Sequence, residues 1–166
     1  VFSTTTAISF TTLGNTLPSL WNPLGSGVAT IVDKVTFQVG AVGTPAVGGM
    51  QYGFLANAGA QVSTAGPVLT GTFVAGVSLN INSKRVPQTL FMPAVNSYTT
   101  APALLGPVGV NFGSVTTQTP WIGMDDVDGR IILTPGSLLQ IGCSTASSTT
   151  FNVAFWCYEV PLPLSA

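Results

Sequence analysis

The chain has 166 residues with four basic and five acidic side chains, no histidine, and 46% hydrophobic residues. That length fits a single domain spanning residues 1–166, with a core that needs neither disulfides nor metals. Charged residues make up 5%, against about 25% in an ordinary soluble domain. This argues against disorder, which goes with high charge and few β-branched or aromatic residues.

Read in chain order, the residues give strands and turns. Residues 5–11 alternate, with Ile8 and Phe10 on one side. Residues 27–39 hold two usable stretches, with Val35, Phe37 and Val39 on one face. Residues 40–49 are low in complexity and read as a loop. Residues 50–56, 70–81 and 88–92 are further strands, and 108–116 is a Gly-interrupted one. Residues 130–134, 138–143 and 151–160 complete the set. Val, Ile, Thr and Phe dominate between clusters of Gly, Pro, Asn and Ser, and nothing recurs at helical spacing. The expectation is an all-β, jelly-roll-like β-sandwich of about eight strands with little or no helix.

The last strand has two apolar faces. Phe151, Val153, Phe155 and Cys157 share one, and Ala154, Trp156 and Tyr158 lie on the other. Such a strand is covered on both sides, by its own core and by a neighbouring subunit or a loop of the same chain. Residues 161–166, with Pro161 and Pro163, read as an extended tail. Residues 144–148 read as a hairpin turn whose symmetric closure sets Cys143 opposite about Phe151. Cys143 and Cys157 are therefore expected to be free thiols that pack as small apolar groups, as suits cytoplasmic synthesis.

The chemistry-bearing residues are few. A nucleophilic Ser or Cys generally needs a nearby base, most often His, and the chain has none; the expectation is that it is no enzyme and uses no cofactor. Asp126, Asp128 and Gly129 match the middle of a calcium loop. However, Met124 stands where the first ligand belongs and Pro135 where the bidentate Glu belongs, so an EF-hand is rejected. A looser site made of Asp125, Asp126, Asp128 and carbonyls stays open beside the simpler reading of Asp128-Gly129 as a tight turn. Arg130 then pairs with one of these carboxylates, locally or across an interface. Lys84-Arg85 is the only basic pair, too little charge for nucleic acid; it contacts an acidic protein surface or solvates a loop. No apolar run reaches the ~20 residues of a membrane span. Residues 101–108 come nearest and hold Pro102 and Pro107. Residues 1–6 show no basic signal-peptide region. A surface so poor in charge is either hydrated by Ser, Thr, Asn and Gln or covered largely by other protein, and the second is the expectation.

Four sequence words lie in order along the chain: Leu20-Trp21-Asn22-Pro23-Leu24-Gly25-Ser26-Gly27, Asp125-Asp126-Val127-Asp128-Gly129, Pro135-Gly136, and Trp156-Cys157-Tyr158-Glu159-Val160-Pro161. This set resembles small virion proteins of tailed bacteriophages, in particular capsid cement or decoration proteins with a jelly-roll fold. The last word departs from the pattern, since Cys157-Tyr158 separate Trp156 from Glu159, and residues 41–113 match nothing in it. The resemblance implies a structural protein, made in the host cytoplasm and placed on the capsid exterior. It implies a homotrimer whose partner is the major capsid protein, acting to stabilise contacts between capsid subunits. Trp21, Phe91, Tyr98, Trp121 and Trp156 are candidate interface anchors, because aromatic residues are enriched at such sites; Lys84, Arg85 and Arg130 are the charged candidates. For the aromatic residues, packing within the subunit is at least as strong a reading. Two alternatives stand beside this: a receptor- or glycan-binding module of a tail or fibre, and a coat protein of a small icosahedral virus.

Overall fold

The computed structural model describes residues 2–3, 8–9, 13, 18–41, 48–56, 74–75, 87–92, 102–112, 122–145 and 149–163. Among these there are eleven strands and no helix. They are β1 (Phe2–Ser3), β2 (Ile8–Ser9), β3 (Ser19–Trp21), β4 (Val28–Ala41), β5 (Gly48–Leu55) and β6 (Val74–Ala75), followed by β7 (Leu90–Met92), β8 (Ala103–Phe112), β9 (Ile122–Leu133), β10 (Leu138–Cys143) and β11 (Thr150–Pro161).

Two antiparallel sheets form. In the first, β11 lies between β4 and the pair β1 and β2, and β9 flanks β4. The second runs β6-β7-β3-β10-β5-β8. The pairing has one logic: β1 and β2 pair with β11, β3 with β10, β4 with β9, and β5 with β8. The first half of the chain is thus the antiparallel complement of the second half in reverse order. Contacts of β11 with β4 and of β10 with β5 close this long hairpin into a roll. That is jelly-roll connectivity, as the residue pattern predicted.

Sequence neighbours therefore sit in opposite sheets. β10 and β11 do not pair as the two arms of a hairpin, because β10 belongs to the second sheet and β11 to the first. Cys143 and Cys157 are both free. Burial pushes each thiol up to about 12.

Local sequence explains most elements. β4 is one continuous strand with an irregularity at Asp33, where the ladders to both β11 and β9 shift register. An extra residue resets the alternation. As a result Val28, Thr30 and Val32 are buried before it and Val35, Phe37 and Val39 after it. β8 starts earlier than the residue pattern suggested and includes Pro107, which a strand tolerates at a sheet edge and beside a register shift.

The core fills the space between the sheets. Val32, Val35, Phe37, Phe151, Val153 and Phe155 from the first sheet meet Leu20, Met50, Tyr52, Leu139, Ile141 and Phe91 from the second. Phe91 and Phe155 pack with ring centroids 5.8 Å apart and planes tilted by 60°, a favourable aromatic geometry.

One end of the sandwich is held by polar staples. Asn22, fully buried, donates from Nδ2 to the carbonyls of Val28 and Leu133, both at 2.8 Å. Its backbone carbonyl accepts from Gly136 N at 2.7 Å, and its N–H donates to Ser137 O at 2.9 Å. Gly136 has φ of 87° and Ser137 N reaches Thr134 O at 2.9 Å, as in a turn that needs Gly after Pro. Glu159 Oε1 accepts from Gln88 N, Thr89 N and Thr89 Oγ1 at 2.7–2.8 Å, and Thr89 Oγ1 also bonds Thr30 Oγ1. Leu162 N donates to Gly27 O at 2.9 Å.

Candidate functional site

The acidic word occupies an excursion within β9. Ile122 to Asp126 pair with Gln38 to Lys34, and Ile131 to Leu133 pair with Val32 to Thr30. Residues 127–130 therefore face the single residue Asp33. Asp128 and Gly129 have φ of 50° and 70°, the two positive values that a type I′ turn requires. Arg130 braces this turn, donating from Nε to Val127 O at 2.8 Å and from Nη2 to Asp126 O at 2.9 Å. The Asp-Gly turn expected from sequence is present, but it bulges out of a strand that runs on either side of it. Gly129 lies over the outer face of the first sheet, where an added Cβ would sit 3.4 Å from Ile31 and 3.8 Å from the Tyr158 hydroxyl.

Strand alternation sends the carboxylates in different directions. Asp125, opposite the buried Val35, turns toward the second sheet, where its Oδ2 accepts from the Tyr52 hydroxyl at 2.8 Å. Asp126, opposite Lys34, is exposed on the outer face, and Asp128 is exposed at the turn. Asp33 pairs with Lys34 at 3.7 Å, an exposed pair worth little. Among the described residues no three Cys, Asp or Glu side chains come together as a metal site.

The Tyr52–Asp125 bond lies in a cleft of about 380 Å3 between β8 and β9, also lined by Leu105, Pro107, Val127, Arg130 and Ile131. Burial, the hydrogen bond to Asp125 and the Asp125 charge all push the Tyr52 phenol far above its ordinary value. Tyr52 is thus a neutral donor bridging the two sheets at the cleft floor.

The other predicted contact residues scatter. Phe91 is fully buried against Phe155 and belongs to the core, which corrects its reading as an interface anchor. Trp21 is half-buried on β3. Trp156 is half-buried on the outer face of the first sheet; its Nε1 donates to Thr36 Oγ1 at 3.4 Å, and Lys34 Nζ lies 6.0 Å from the ring centroid. Arg130 is exposed and engaged with its own turn. Lys84, Arg85, Tyr98 and Trp121 lie outside the described residues.

Three of the four words act as structural staples: Asn22 and Gly136 bond to each other, and Glu159 anchors residues 88–89. The outward side chains form a different pattern, of which sequence reading singled out only Tyr158. Leu104 and Leu105 on β8 and Ile122 and Met124 on β9 are exposed, Ile122 at 76%. Ile132, Tyr158 and Val160 are exposed on the outer face of the first sheet. Finding them needed the strand pairing, because an apolar residue in a strand reads as core until its facing is known. No family model matches the chain, and neither a curated protein nor a solved structure matches it.

Proposed function

We propose that the chain is a structural virion protein that assembles by protein–protein contact, as a cement or decoration protein on the exterior of a phage capsid. The observation that carries this reading is a jelly roll whose exposed strands present large apolar side chains with few ions. Large apolar groups on an open surface mark sites of association, and a contact with few ions avoids the cost of desolvating them. The resemblance of the ordered words to phage cement proteins supplies the location. The partners are further copies of the chain, as a homotrimer, and the major capsid protein.

Light scattering of the purified protein, with and without chelator, tests the assembly. A stable trimer indifferent to chelator is expected. Co-sedimentation with capsids of the virus whose genome encodes the chain tests the location, and protein left in the supernatant would remove the cement role. Closed shells of this protein alone, seen by electron microscopy, would instead make it a coat protein. The cleft at Tyr52, Asp125 and Arg130 favours a second reading as a glycan-binding module. Glycan-array binding that is lost in Asp125→Ala would establish it.

A further inference from the structure

Two separate strand irregularities frame the cleft between β8 and β9. On β8, Gly106 pairs with Tyr52 and Leu104 with Gly53, so Leu105 is an extra residue in that strand. On β9, residues 127–130 face only Asp33. Such bulges re-aim side chains and are over-represented beside functional sites. Here both lie against one space of about 380 Å3, lined by Leu105 and Pro107 on one side and by Asp125, Arg130 and Ile131 on the other. Small-molecule sites span about 300–1,000 Å3. Gly106 lines the same space, and a Cβ added there meets nothing within 4 Å.

Two polar groups of the cleft keep unused hydrogen-bonding capacity. Asp125 Oδ2 accepts from the Tyr52 hydroxyl, and among the described residues nothing donates to Oδ1. Arg130 commits Nε and Nη2 to carbonyls of its own turn, which leaves the two hydrogens of Nη1. Among the described residues no ion pair joins Asp125 to Arg130. Each is held by other partners, so an acceptor and a donor stand ready beside apolar walls, and such preorganisation favours binding. The pair also selects the ligand. Neighbouring hydroxyls fit it, since one can donate to the carboxylate while the next accepts from the guanidinium. An anionic ligand would meet Asp125 together with Asp126 and Asp128, exposed beside it on β9. A cationic ligand would meet Arg130.

We infer that this cleft binds one neutral pyranose ring. One hydroxyl donates to Asp125 Oδ1, its neighbour accepts from Arg130 Nη1, and the C–H face of the ring packs on Leu105 and Pro107. The inference rests on the glycan-binding reading above, names its ligand class, and is independent of how copies of the chain assemble.

Chemical-shift perturbation on the isotope-labelled full chain, titrated with the methyl glycosides of glucose, galactose and mannose, tests the site. At least one is expected to bind with a millimolar Kd, as suits a single small ring, and to shift resonances of residues 104–107 and 125–131. Asp125→Asn, which keeps an acceptor for Tyr52, is expected to weaken binding about tenfold. Gly106→Val, which fills the open space, is expected to abolish binding with circular dichroism and mass unchanged. If one variant misfolds, the other decides, and the mapped shifts stand without either. The free hexose is titrated beside its methyl glycoside. Equal affinities support the site as a holder of glycan ends, and binding of the free hexose alone supports it as a site for free sugar. Shifts that map elsewhere, or binding that survives both variants, overturn the site. If only methyl glucuronide or a glycan on the array binds, the neutral single ring is overturned and the glycan-binding reading stands. No binding of any sugar or array glycan overturns both.

Discussion

The two sheets differ most on their outer faces. On the second sheet, Ser19, Leu138 and Gln140 point away from the shared core and are nonetheless fully buried. The chain folds over them: Leu13 and Pro102 come so close to Gly53 that an added Cβ would meet them at 2.8 and 3.0 Å. On the first sheet, Ile132 and Tyr158, paired through Ile31, remain more than half exposed. Apolar outward residues thus have two fates in one molecule. Where the chain supplies its own cover, they contribute to stability. Where it does not, they are available to a partner.

Substitutions can break this contrast. The largest effect is expected from Leu138→Ala on the covered face, a loss of about 3 kcal/mol in unfolding free energy by urea denaturation. A loss below about 1 kcal/mol would mean the cover is loose. Glu159→Ala, which strands two backbone N–H groups and leaves the Thr89 hydroxyl with Thr30 alone, should cost about 2 kcal/mol by the same measurement. Glu159→Gln should keep part of that, since its amide oxygen still accepts.

A pair of glycines sharpens the comparison further. Gly53→Ala, under the cover, is expected to cost about 1–2 kcal/mol through crowding. Gly106→Ala, with open space around its Cβ position, should stay within about 0.5 kcal/mol. Equal melting shifts for the two would contradict the packing over Gly53.

Alkaline pH probes the interior between the faces. The Cys143 and Cys157 thiols are raised to about 12 in the folded chain, and Tyr52 is raised as well. Unfolded thiols lose their protons near about 8.5. Above that pH the unfolded state binds fewer protons than the folded one, so stability is full below it and falls as pH rises toward 12. Urea midpoints at rising pH should fall accordingly, and a thiol reagent should react only after unfolding. The smallest effect is expected at Ile132→Ala on the open face, under about 0.5 kcal/mol for the isolated chain; a larger loss would show that this face is covered after all.

Much of the fold was legible because alternation and turn chemistry are local. Residues 138–143 and 151–160 are strands as read, and Asp128-Gly129 and Pro135-Gly136 turn as their residue types require. The acidic stretch was harder. Three aspartates in four residues suggest a loop, and Ile122 and Met124 give only a short alternation, yet β4 offers a ladder that makes residues 122–126 a strand. That same ladder separates Asp125 from Asp126, so the cluster read as one feature in sequence divides between the cleft and the outer face. Phe91 misled for a related reason: an aromatic residue signals a large apolar area to bury, but not whether its own chain or another buries it.

The sequence by itself determined the class of the described residues: strands without helices, and turns at Gly, Pro and Asp-Gly. Those properties follow from backbone sterics, side-chain period and composition, which act within a few residues. Tertiary structure alone decided that β10 and β11, adjacent in sequence, lie in opposite sheets. It decided that Asn22 meets Gly136 and Glu159 meets Thr89, and that one outer face is covered while the other stays open. Each of these joins residues far apart in the chain, where the closing entropy is repaid only when the whole roll forms, so no local pattern encodes them.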